Sequence, residues 1–544
     1  MKKRAMRLLA TLLILVLLLT GCENQGITTF FQDLYNAIEV GLATSFEDME
    51  YTRPDIDKFQ KDLDHCKEQA KTETDAEKLM ELVFDLYEWY YDFNTCYQLA
   101  TIHYYKDMTD TYWNDEYSFC LEASTDVSAG MDQLLYDLAD CSLREELEAE
   151  EYFGADFFDD YEGDSLWDET FTALMAEEAS LLDQYYELNG RPVTDQYYSE
   201  AFFKNYCYPM EEVFLELVKV RQEIAEYAGY ESYPDFAYEY YFYRDYTPEQ
   251  TASYLEQIRQ ELVPLYLSMD DYVWSAMYEK CNEEQMREYL TRTVDSIGGT
   301  ARYALNLLEG ANLCDLTYSE KKYDASFEVY LPSYNVPFLF VNPSNSARDK
   351  LTLVHEFGHF CSDYAAGGSN VGIDVAEVFS QSLEYLSLNN EGPYSKLRML
   401  KLADSLGVYV EQSAYARFEL DVYELKGEDL TVEKVRQVYR KVLSDFGLIA
   451  YGRDRRDYVL IPHFFMSAQY VISYVVSNDV SMQIYRKELE TPGAGVQIWE
   501  DNLATTQQGL LGFVEEAGLE DPFAEGQIAK VRDMFKELLP GRFS

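Results

Sequence analysis

The 544-residue chain is short of positive charge: 44 Lys and Arg stand against 99 Asp and Glu, a formal net charge of −55. Binding nucleic acid by neutralising phosphates needs a basic face, so that class is excluded. Glycine (27) and proline (14) are also scarce, which disfavours a turn-rich β architecture and favours long helices. No CxxC pair occurs among the nine cysteines, which argues against a structural thiolate zinc cluster. No stretch after the first 22 residues is long and apolar enough to span a bilayer. What is present is the composition of a folded protein. Hydrophobic residues make up 47% and aromatics 15%, too much for a disordered acidic chain, and the length suffices for a large core and more than one domain.

The amino-terminal end reads as an export signal. Lys2, Lys3, Arg4 and Arg7 flank the start of an apolar run, Leu8 to Leu19. That run is shorter than the ~20 residues of a membrane span, and the basic start matches a secretory signal. Leu19-Thr20-Gly21-Cys22 resembles the bacterial lipobox. The resemblance implies that residues 1–21 are a lipoprotein signal peptide, and that lipid on Cys22 holds an exported chain to the outer face of the bacterial cell membrane. The eight other cysteines would then be free to pair, but their wide spacing selects no connectivity.

Helical periodicity runs from Phe30 to about Glu145, as in Leu79, Leu82, Val83, Leu86 and Tyr90. The acid-dense residues 146–169 read as a loop or break, after which the helical pattern resumes. Two segments differ. Ser326 to Leu331 and Val336 to Val341 are rich in β-branched and aromatic residues and predict two short strands. Ser346 and Asp349 are spaced as a capping box for a helix running to about Tyr364. The division expected is an N-terminal helical region over 22–205 and a catalytic domain over 206–544.

That helix carries His355-Glu356-Phe357-Gly358-His359. Four residues are just over one turn, so both imidazoles face one way about 6 Å apart, a separation that one Zn²⁺ bridges. Glu356, one step round, reaches a water beside the metal without being a ligand, as a general base must. A third ligand is expected from Asp374 to Glu384, where Asp374 caps a new helix and Glu377, Gln381 and Glu384 share a face. Glu377 is the expected ligand and Glu384 the acceptor that orients a histidine N–H; Asp363 and Asp374 are poorer candidates. Further on, a helix starting at Pro462 would place Tyr470 and Tyr474 within about 20° of His463. The three polar rings would form one ridge that donates hydrogen bonds to an oxyanion. His65 and His103 read as structural.

These segments, His355 to His359, Ala376 to Glu384, and His463 with Tyr470 and Tyr474, resemble the thimet oligopeptidase and oligoendopeptidase F family of zinc metallopeptidases. Weaker support comes from Pro337 to Asn342, and the likeness is specific over residues 210–540 and vague before them. The resemblance implies a mainly α, two-lobed helical metallopeptidase with a small β-sheet near the HExxH helix and a deep substrate channel. It also implies one Zn²⁺ on His355, His359 and Glu377, Glu356 as base, and His463 with Tyr470 and Tyr474 around the substrate. The expected partners are short peptides and, through Cys22, the membrane; so acidic a body would favour cationic peptides at low salt. One departure is the spacing of 17 residues between His359 and Glu377, short for the family. Two rival readings stay open, a zinc carboxypeptidase of related helical fold and a non-catalytic peptide-binding lipoprotein.

Overall fold

The computed structural model describes residues 40–41, 43–149, 152–161, 163, 166–191, 193–368 and 371–543. The signal segment, Cys22 and the first residues of the expected helical run lie outside the described residues. The chain is mainly helical, with one three-stranded sheet. It divides into two compact units, each built from discontinuous segments.

One unit takes the described residues up to Trp167 together with Glu283–Asn345 and Phe360–Gly368. Its core is a set of three helices, α1 (Ile56–Thr72), α2 (Ala76–Lys106) and α3 (Thr111–Ala139). Asp55 and Asp110 cap α1 and α3 by accepting backbone N–H groups of their first turns, which satisfies donors that a helix start leaves open. Leu79, Val83, Leu86 and Phe93 of α2 recur at helical spacing and are buried against Phe59 and Leu63 of α1 and Val127, Leu134 and Leu138 of α3. Each such side chain contributes about 1.5–3 kcal/mol by leaving water. Phe158, in the short turn Phe157–Tyr161, joins this core, so the acidic stretch expected as a plain loop is pinned at its middle.

The sheet has the order β1-β3-β2. β2 (Ser326–Leu331) and β3 (Val336–Val341) pair antiparallel, with Leu331 opposite Val336, and both strands occupy the predicted residues. Asn335 closes the turn between them in the left-handed region, φ 54°, which asparagine tolerates. β1 (Cys314–Asp315) adds a parallel edge to β3; two residues leave no pattern to read. All six residues of β3 are buried, which is why this central strand is a continuous apolar run. Ser333 hydrogen-bonds Thr95 of α2 (Ser333 N to Thr95 Oγ1, 2.9 Å), and Tyr323 stacks on Tyr105 at 4.4 Å.

The second unit takes Asp168–Asn282, Ser346–His359 and Ser369–Ser544. Its helices include α4 (Glu169–Asn189), α5 (Tyr208–Tyr227), the first part of α6 (Asp349–Ala366), α7 (Ile373–Ser387), α8 (Lys396–Tyr423) and α9 (Ile472–Glu490). Ser477 and Ser481 of α9 donate to the carbonyls of Asp374 and Val378 on α7 at 2.6 and 3.1 Å. Small side chains whose hydroxyls are satisfied let these two buried helices run close together. Trp499 Nε1 adds a bond to the Phe379 carbonyl at 2.9 Å.

Three expectations differ from the structure. The boundary at 205/206 coincides with no unit boundary: α4 belongs with α5, joined by a buried Arg221–Glu178 pair at 2.6 Å, and the sheet region belongs with α2. Asp374 does not cap α7, where Gly372 takes that position; its carboxylate instead accepts from Tyr246 Oη at 2.7 Å and pairs with Arg244 at 3.3 Å. The helix expected from Pro462 is broken. It runs over His463–Met466 only, and α9 starts at Ile472, with Gln469 between them at φ 72°. The eight cysteines of the described residues are free thiols.

Candidate active site

The local turn of α6 sets His355 and His359 on one face, ring centroids 5.1 Å apart. α7 supplies the third donor. Glu377 Oε2 lies 3.5 Å from His355 Nε2 and 4.0 Å from His359 Nε2, and the three donor atoms fall within 4.8 Å of one another. Close approach of the two helices is what permits this. A Cβ on Gly358 would stand 2.5 Å from Ser380 Cα and 2.9 Å from the Phe379 carbonyl oxygen, contacts no side chain tolerates. The glycine between the two histidines thus brings Glu377 to them. Neither Asp363 nor Asp374 is part of this donor set.

Two of the three donors, His355 and Glu377, are held from behind. His355 Nδ1 donates to Glu384 Oε1 at 2.9 Å, which turns Nε2 toward Glu377, and Lys401 Nζ pairs with Glu384 Oε2 at 3.0 Å. Tyr470 Oη donates to Glu377 Oε1 at 3.0 Å, and Ser380 Oγ to Oε2 at 3.3 Å. Glu377 is thereby fixed with one oxygen facing the histidines. Glu356 is buried, 7% exposed, and burial pushes its carboxyl up to about 7, with Glu377 and Glu384 adding to the effect and His355 opposing it. Burial opposes charge on His355, yet the bond to Glu384 and the nearby Glu377 hold its pKa up at about 9. Burial and the neighbouring His355 push His359 down to about 3, leaving a neutral ring. Burial raises Glu384 less than Lys401 and His355 lower it, so it stays ionised.

The broken helix still gathers its three rings. Tyr474 Oη lies 3.4 Å from His463 Nε2, and the rings of Tyr470 and Tyr474 are 5.2 Å apart. Gln381 Nε2 donates to the Tyr474 carbonyl at 3.3 Å, tying this segment to α7. Burial lowers His463 and raises both tyrosines, so all three are neutral at physiological pH.

Sequence reasoning missed the groups that hold this segment. A helix break leaves backbone polar groups without partners, and burying them unpaired is costly. Arg221 of α5 donates to the carbonyls of Phe464, at 3.0 Å, and Phe465. Arg244 donates to the Gln469 carbonyl and to Ser473 Oγ, both at 2.9 Å. Glu419 of α8 accepts from the Gln469 N–H at 2.8 Å. A signal existed for Arg244: it is a lone cation within Tyr238-Glu239-Tyr240-Tyr241-Phe242-Tyr243-Arg244-Asp245-Tyr246, and it lies over the rings of Tyr238 and Phe242 at 4.3 and 4.5 Å. Glu419 and Lys401 carry no such mark.

A mainly helical chain whose HExxH helix is met by a glutamate from the next helix defines the class of helical metallopeptidases. Two family models match in that sense, the Peptidase M3 N-terminal domain over residues 46–165 and Peptidase family M3 over 305–503. The chain belongs to peptidase family M3. It is 28% identical over 282 residues to oligopeptidase PepF of Bacillus subtilis (strain 168), covering 48% of this chain and 41% of that protein. It is 27% identical over 175 residues to the oligoendopeptidase F homolog of Borreliella burgdorferi (strain ATCC 35210 / DSM 4680 / CIP 102532 / B31), covering 28% and 29%. The matched region thus spans less than half the length of these curated relatives. The solved structure of PZ peptidase A with inhibitor 2 superposes with a TM-score of 0.78 at 18% identity, over 91% of this chain and 99% of that one; at that identity the likeness concerns the fold.

Proposed function

We propose that this protein is a zinc-dependent oligopeptidase that hydrolyses internal bonds of short peptides, with Glu356 as general base. The observation that carries the reading is the convergence of His355 Nε2, His359 Nε2 and Glu377 Oε2 within 4.8 Å. Two imidazoles and a carboxylate, with His355 and Glu377 oriented by further hydrogen bonds, are the three-donor set that a catalytic zinc ion would take. One zinc ion would be held there, and when bound it supplies Lewis-acid polarisation and acidifies water.

The chain's own groups do the rest. Glu356, buried beside the donor set, would take a proton from the attacking water and return it to the leaving amine. His463 Nε2 and Tyr474 Oη, 3.4 Å apart, are neutral donors placed to bind the oxyanion that develops on the substrate carbonyl. Tyr470 already donates to Glu377, so its first role is to orient that ligand. Family membership and the likeness to oligopeptidases support the substrate class. We also propose that the chain is exported and anchored by lipid on Cys22, on the strength of the basic and apolar start and the lipobox-like Leu19 to Cys22.

The test is Glu356→Gln. The variant should retain zinc and lose peptide cleavage by about two orders of magnitude or more; full cleavage would overturn the assignment. Peptides with amidated carboxyl termini, analysed by mass spectrometry, should be cut internally. A carboxypeptidase would leave them intact, and a binding lipoprotein would return every peptide unchanged after long incubation with zinc.

A further inference from the structure

Behind the metal-ligand set lies a chain of alternating charge, with Lys401 buried in it, that links α6, α7 and α8. His355 Nδ1 donates to Glu384 Oε1 at 2.9 Å. The second oxygen of that carboxylate is 3.0 Å from Lys401 Nζ. Lys401 is 5% exposed, and its ammonium rests over the ring of Tyr385 at 4.4 Å. One turn further along α8, Asp404 pairs with Arg348 at 2.5 Å, immediately before α6 begins. α8 therefore meets the residue just before the histidine helix through Asp404 and Arg348, and reaches His355 indirectly, through Lys401 and Glu384 of α7.

Burying a lysine is costly, and apolar residues of similar volume commonly do as well or better for stability. Here the charge is aimed at the one carboxylate whose other oxygen orients a metal-ligating ring. Without Lys401, Glu384 would keep His355 Nδ1 on one oxygen and lose its ion pair on the other. The carboxylate would then be fixed at one oxygen only, the one that accepts from Nδ1–H.

We propose that Lys401 is a positioning residue for the metal site, acting through Glu384 to set the orientation of the His355 ring. This rests on the reading of His355, His359 and Glu377 as zinc ligands and extends it one residue outward. Its consequence is a contribution to zinc affinity from a residue that touches neither the metal nor substrate.

The experiment is a double-mutant cycle on the full chain, with zinc affinity measured by competition against a chromophoric chelator and folding followed by circular dichroism. Lys401→Met should weaken zinc binding about tenfold or more. Lys401→Arg, which keeps the charge, should recover most of that loss. In a Glu384→Gln background, Lys401→Met should have little further effect, because the group it acts through is gone. Should Lys401→Met fail to fold, Lys401→Gln takes its place in the cycle. Unchanged affinity in the single variant, or an equal loss in both backgrounds, overturns the role of Lys401 and leaves the zinc reading intact. A native chain that takes up no zinc overturns the zinc reading itself, and this inference with it.

Discussion

Glu419 shows what a single buried residue can do to pH dependence. It is 2% exposed, one oxygen accepts from the Gln469 N–H, and burial raises its carboxyl to about 8 despite Arg221 and Arg244. Unfolded, the same group titrates near its ordinary value of 4.5. The native state therefore holds an extra proton between those values. The stability this contributes is fully present below about 4.5 and is lost as pH rises through about 8. A displacement of this size is worth a few kcal/mol, to order of magnitude. Glu419→Gln keeps an acceptor for Gln469 and removes the titration, so its unfolding free energy should fall less than that of the native chain between acid and mildly alkaline pH. Denaturant titrations across that range check this, and equal pH slopes in the two proteins would exclude it.

At the scale of elements, the site depends on how closely α6 and α7 approach. Gly358 faces the backbone of Phe379 and Ser380 at 2.5–3.0 Å from where a Cβ would lie, and backbone cannot swing aside as the end of a flexible side chain can. Gly358→Ala should force the helices apart, lowering stability by about 1–3 kcal/mol and drawing Glu377 away from the histidines. The two effects are separable: denaturant unfolding reports the first, zinc stoichiometry of the folded variant the second. A variant with native stability and full zinc uptake would show that the contact is not limiting. The segment between His463 and α9 follows the opposite logic. It keeps a few helical and turn bonds of its own, and around the break its backbone is also held by Arg221, Arg244 and Glu419, which reach it from other parts of the chain.

At the scale of the whole molecule, charge and attachment belong together. The first 21 residues hold Lys2, Lys3, Arg4 and Arg7 and no acid, so their removal at Cys22 would leave the anchored chain more acidic than its formal −55. A body of that charge is repelled by anionic lipid and gains nothing from direct contact with the bilayer, so attachment would rest on the lipid alone. Cys22→Ser should accordingly move the protein out of the membrane fraction of a bacterial host, as seen by immunoblotting after fractionation. Equal membrane association in native and variant would remove the lipid anchor from the proposal.

What could be read in the sequence was what local geometry dictates. His355 and His359 converge because four residues make one turn. Glu377 and Glu384 share a face of one helix for the same reason, and β2 and β3 carry β-branched and aromatic residues in runs of strand length. Those features placed the metal-ligand candidates and the strands without a tertiary contact. The break at residues 467–471 was not legible, because no proline or glycine marks it; Gln469 holds φ 72° through partners supplied by α8 and by Arg244. The unit boundaries were likewise hidden, since β2 and the turn after it pack on a helix more than 200 positions earlier. By itself the sequence determined which side chains point the same way along one element. Only the tertiary structure decided which elements meet, that Tyr470 holds Glu377, and that Lys401 stands behind Glu384, because those contacts come from burial and charge pairing between segments far apart in the chain.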